Sequence, residues 1–146
     1  MPFHFPLQPV LRLQQSLEDR ERLRLALIIA ALNKMNQHCQ RLDQQKLKLA
    51  NGLAERLKTG MAAAEIHFEC ADLAAIEQQK NNLLQQKDKL EQQRTAQEQA
   101  FREAQRKRKT LESLRDRKLE QYRRIQQRRE QERVDDLFGL RRAAEC

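Results

Sequence analysis

All three prolines, Pro2, Pro6 and Pro9, lie in the first nine residues, so from Val10 onward no residue lacks an amide donor or forces its neighbours out of a helix. Only Gly52, Gly60 and Gly139 punctuate the remaining chain. Leu25, Ile28, Leu32, Met35, Cys39, Leu42, Lys46, Leu49 and Leu53 recur there at alternating steps of three and four, the a/d seam of a coiled coil broken by Lys46 alone. A second seam, at seven-residue spacing, runs through Ile76, Leu83, Leu90, Gln97, Ala104, Leu111, Lys118 and Ile125. Its companion column, Leu73, Lys80, Lys87, Arg94, Phe101, Arg108, Arg115 and Tyr122, is rich in long basic side chains whose aliphatic stems can cover a seam.

The two seams fall out of phase across Lys58-Thr59-Gly60-Met61-Ala62, where a glycine and a capping threonine coincide. A hairpin turning there pairs positions whose numbers sum to about 122, setting Leu49 against Leu73, Cys39 against Leu83 and Leu32 against Leu90. The expectation is an all-α fold, two long helices forming an antiparallel coiled-coil hairpin. As one domain over 1–146, it divides into a leader (1–9), a first helix (10–58), a tip (59–62), a second helix (63–138) and a tail (139–146). At roughly 1.5 Å per residue the first arm runs about 70 Å and the second about 115 Å, so the second overhangs the first. Gly52 marks either a bend near the tip or a tolerated surface glycine.

Composition agrees and removes whole classes of function. A chain of 146 residues with 4% aromatic content, no Trp and 34% charged residues cannot wrap the core of an α/β enzyme. Its longest mainly apolar stretch, Leu23 to Leu32, is about half the length of a membrane span. The N-terminus has no basic n-region ahead of an apolar one, and Cys39, Cys70 and Cys146 form neither a disulfide framework nor a zinc knuckle, so a reducing cytoplasm fits best. Phosphate-cradling glycines are missing; His67 and Cys70 share a helix face but lack the further ligands of a closed zinc site, so neither metal nor cofactor is expected. An open hairpin offers no pocket for catalysis, and the chain is not expected to be an enzyme.

Two positive signals remain. Residues 101–133 hold thirteen basic against six acidic side chains, a net of +7 out of the chain's +8. Such a run is either a solvated helix face or an arm seeking an acidic groove or pore; few aromatics and no groove-reading module weaken a nucleic-acid role. At the tip, Ala62-Ala63-Ala64, Ile66, Phe68, Leu73 and Ile76 offer more apolar surface than two helices bury in each other, serving either as a cap closing the hairpin or as a partner site.

Three stretches, in order, resemble the FliJ family of bacterial flagellar type III export proteins. Phe3-His4-Phe5-Pro6-Leu7-Gln8-Pro9-Val10-Leu11 is similar to the family's opening Phe-x-Phe-x-Leu-Gln-x-Val-Leu, and Leu57-Lys58-Thr59-Gly60-Met61 with Glu65-Ile66 to its turn. Leu111-Glu112-Ser113-Leu114-Arg115, Tyr122 and Val134-Asp135-Asp136-Leu137 resemble its ending. The resemblance implies a non-hydrolysing central stalk of the hexameric flagellar export ATPase, working in the bacterial cytoplasm at the flagellar base. Membrane association would come only through the export apparatus, at the inner membrane's cytoplasmic face. Implied partners are the ATPase, the cytoplasmic domain of the export-gate membrane protein and flagellar substrate chaperones. It places the ATPase contact at Arg115, Lys118, Tyr122, Arg124 and Arg129, and the gate contact at Leu42, Gln45, Leu49, Leu73 and Ile76. An equivalent stalk of a virulence-type secretion system, or a generic basic coiled-coil scaffold or nucleic-acid binder, remains an alternative.

Overall fold

A computed structural model describes residues 2–146; Met1 of the leader lies outside the described residues. The described chain is all helical, with two long helices, α1 (Gln8–Thr59) and α2 (Ala63–Ala144), packed against each other and no strand. α1 starts two residues before the expected Val10 and takes in Pro9. A proline in the first turn gives up an amide that has no helical acceptor anyway. The turn is closed by Gln8 N–H donating to Phe5 O at 3.1 Å and Leu11 N–H to Leu7 O at 2.9 Å.

α1 ends where Thr59 Oγ1 donates to the Arg56 carbonyl at 2.9 Å and Gly60 takes a φ of 95°, a left-handed conformation that glycine enters at no steric cost. Ala62 O then accepts from Glu65 N–H at 3.1 Å and Ile66 N–H at 3.2 Å, starting α2. α2 does not stop at the expected 138 but continues through Gly139 to Ala144. One glycine costs a helix about 1 kcal/mol, too little to end it when good helix formers such as Leu140, Arg141 and Ala143 follow.

By packing, the chain divides into two units, the N-terminal stretch through Arg20 with Arg102–Cys146 (unit 1) and Glu21–Phe101 (unit 2). In unit 2 the helices run antiparallel, and the ion pairs Asp43 with Lys80 (2.6 Å) and Lys46 with Glu77 join positions whose numbers sum to 123, in the expected register. Lys46, which interrupts the seam, is thus tied across it. Arg56 pairs with Glu69 nearer the tip, and at the other end Gln97 Nε2 donates to the Glu21 carbonyl at 3.2 Å while Arg22 lies over the Phe101 ring at 5.7 Å. Leu32 and Leu42 are buried; Leu25, Ile28, Met35, Leu83 and Leu90 are half-buried along the same seam. Lys87 and Arg94 are half-buried too, their stems lying along the seam as the basic column implies.

Two-helix packing leaves every side chain near water, and only Phe5, Leu11, Leu32, Leu42 and Ala104 are buried apolar residues among those described. Removing one is therefore costly. Leu42→Ala is expected to lower stability by about 2 kcal/mol in urea unfolding, whereas Leu47→Ala, at a site 62% exposed, stays within about 0.5 kcal/mol.

A Cβ added at Gly52 meets nothing within 4 Å, so Gly52→Ala should stabilise by up to about 1 kcal/mol. The Lys46 ammonium, by hydrogen bond and charge, holds the Glu77 carboxyl below its ordinary 4.5, and Asp43 holds Lys80 above its ordinary 10.5. The first contribution is present above pH 4.5 and lost as pH falls through the lowered value; the second is present below 10.5 and lost as pH rises through the raised one. Lys46→Gln should return Glu77 towards 4.5 in an NMR titration.

Candidate docking surfaces

Unit 1 holds seventeen basic and eleven acidic residues, a net of +6 out of the chain's +8. Its interior begins with the leader, which folds onto α2. Phe5 is buried, Leu11 is fully buried, and the Phe3 ring meets Tyr122 at 5.6 Å between centroids, tilted by 54°. Arg115 and Leu119 of α2 and Arg12 of α1 line a hollow beside these aromatics.

Two turns beyond Leu11 the seam carries a charge. Glu18 is only 3% exposed and is paired with Arg108, which also donates to Glu112 at 2.7 Å. The hydrogen bond to Glu112, then that to Glu18, raises the guanidinium pKa above its ordinary value. Gln14 Oε1, buried nearby in sequence, has no hydrogen-bond partner among the described residues. The guanidinium offers the buried carboxylate a charged donor, which offsets part of the cost of burying it. Glu18 stands seven residues from both Leu11 and Leu25, so heptad spacing carried back from Leu25 reaches it, but a carboxylate gives no apolar signal there.

Of the residues assigned to an ATPase contact, Arg115 and Tyr122 are half-buried, Arg115 donating to Asp116 Oδ1 at 3.3 Å and Tyr122 lying against Phe3. Lys118, Arg124 and Arg129 are exposed; Arg124 pairs with Glu120, while Lys118 and Arg129 make no ion pair among the described residues. At about 100° per residue, Arg115, Lys118, Tyr122 and Arg129 fall within roughly 60° of one another and Arg124 points the opposite way. Four of the five thus share a face. From Gln127 to the end every residue is exposed, including Val134, Leu137, Phe138 and Leu140, an apolar group the ATPase assignment leaves out although its i, i+3, i+4 spacing is readable.

The residues assigned to a gate contact all lie in unit 2, where Leu42 and Gln45 line one hollow, and they differ in exposure. Leu42 is buried at 4% exposure and Leu73 and Ile76 are half-buried, all three serving the seam; Gln45 and Leu49 reach the surface. Near the tip, Phe68 is 68% exposed beside Leu49 and Ala64, pointing outward rather than capping the hairpin. His67 and Cys70 are exposed, and no group of three or more metal-ligating side chains occurs among the described residues. Nor is any helix long and apolar enough to cross a membrane.

The ionic layer makes a sharp prediction. Arg108→Met should lower the urea midpoint by removing a charged donor from the buried Glu18 carboxylate, and Glu18→Leu with Arg108→Met should recover most of the loss.

No curated protein and no solved structure matches the chain. The family model described as flagellar FliJ protein matches residues 3–145, taking in the leader, both helices and the tip. The chain therefore belongs to the flagellar FliJ protein family.

Proposed function

We propose that this flagellar export component is a non-catalytic stalk whose basic end enters the ring of the hexameric export ATPase, while the tip of unit 2 engages the cytoplasmic domain of the export gate. On this reading the chain also receives substrate chaperones and works in the bacterial cytoplasm, peripheral to the inner membrane at the flagellar base. The observation that carries it is the free end of α2. Past Gln126 the helix has no partner face in unit 1, yet it stays helical to Ala144 and presents Arg129, Arg133 and Arg142 to solvent. A helix that continues so far beyond its own packing, with a net positive unit behind it, suits insertion into an acidic protein channel.

Arg115 and Tyr122 already contact Asp116 and Phe3, so in this reading they shape the end, and Lys118 and Arg129 supply the charge that meets the ring. Arg124, on the opposite face, contacts a different subunit of a ring that surrounds the stalk.

Co-purification with the cognate ATPase tests the proposal. The full chain should bind the ATPase and raise its turnover; Lys118→Glu with Arg129→Glu should weaken binding at least tenfold, with a shallower salt dependence, while leaving the helical signal unchanged. Truncation after Ala100 should abolish binding. Binding indifferent to both changes would remove the basic end from the interface.

A further inference from the structure

The tip of unit 2 carries a groove of about 470 Å³ that its own seam leaves open. Leu49 of α1 and Ala64 and Phe68 of α2 are its apolar floor; Ala64, Phe68 and Asp72 recur every fourth residue and so share one helix face. Phe68 is 68% exposed, an aromatic ring left in water by the fold around it. Such a ring at the centre of a concave apolar patch has the character of a binding anchor.

The rim has a sign opposite to the rest of the molecule. It comprises Arg56, Glu65, Glu69 and Asp72; Arg56 is taken up by Glu69, leaving the exposed carboxylates of Glu65 and Asp72 without an ion pair among the described residues. The groove is net negative by two charges on a chain of +8. Charge complementarity therefore selects against the acidic partners that the basic unit attracts.

We infer that this groove docks a helical segment of a partner protein that presents an apolar side chain flanked by Lys or Arg. The apolar side chain lies on Phe68, Leu49 and Ala64, and the flanking cations meet Glu65 and Asp72. This deepens the gate contact proposed above and rests on it only for the partner's identity, since Leu42, Leu73 and Ile76 are spent in the seam and Phe68 is not.

Because the chain has no Trp, Phe68→Trp in the full-length protein places a single fluorescent reporter in the groove. The probes are a helical Lys/Leu peptide and its counterpart with Glu at every Lys. The Lys/Leu peptide should shift the emission to the blue saturably and the Glu/Leu peptide should not. Adding Glu65→Gln and Asp72→Asn should weaken the response about tenfold. In the otherwise native chain, Phe68→Ala should abolish peptide binding measured by calorimetry.

Equal responses to the two peptides, or a charge-neutralised groove that binds as tightly, would overturn the inference. So would sedimentation showing that the chain self-associates through Phe68, which would assign the groove to a second copy. None of these results bears on ATPase co-purification, so failure of the groove and failure of the stalk reading are told apart.

Discussion

Everything in this molecule depends on one narrow contact, the line along which α1 and α2 touch. Two helices can bury only the residues on their facing stripes, and here that line is completed by charge as well as by apolar packing. Leu32 and Leu42 hold unit 2 and Leu11 and Phe5 hold unit 1, while Lys46 with Glu77, Asp43 with Lys80, and Arg108 with Glu18 cross between the helices. The exposed pairs add little energy but set register, because sliding one helix would break each at once. The buried pair is different in kind. Glu18 sits in the seam itself, and any register that failed to deliver Arg108 would take a charged donor away from a buried carboxylate.

Much of this was legible in the sequence. The alternating steps from Leu25 to Leu53 and the sevenfold column from Ile76 give both helices, and the phase break at Gly60 gives the turn, which the structure realises with a left-handed glycine. Helix ends were harder to place because Pro9 and Gly139 read as breakers, whereas a first-turn proline and a single late glycine each cost less than continuing the helix gains. The Glu18 layer was missed because a carboxylate carries no apolar signal, although Glu18 stands in heptad phase with Leu11 and Leu25. Spacing alone does not say whether a polar seam position is paired, and the partner of Glu18 lies ninety positions away.

Surfaces were less legible than helices, since periodicity identifies which residues face inward but not which outward residues a partner meets. Leu42, Leu73 and Ile76 carry the seam signal so strongly that a contact assignment resting on the same positions competes with packing. Phe68 shows the converse. It lies off the seam, so its pattern is weak, yet its exposure and acidic surroundings single it out once the tip is built. The chain thus presents two docking chemistries, a basic unit 1 suited to acidic surfaces and an acidic groove in unit 2 suited to basic ones. Two surfaces of opposite sign on one chain bias each against the other's partner.

The most direct test of the stalk reading uses the chain's own thiols. Cys146 follows the end of α2, and Cys70 lies in unit 2 near the tip; both are exposed. With the other cysteines changed to serine, each serves in turn as the only attachment point for a short photo-crosslinker. If the basic end enters the ring, Cys146 cross-links to residues lining the ATPase's central channel and Cys70 does not. Cross-linking from Cys70 alone, or from Cys146 only to the outer surface of the ring, would contradict it.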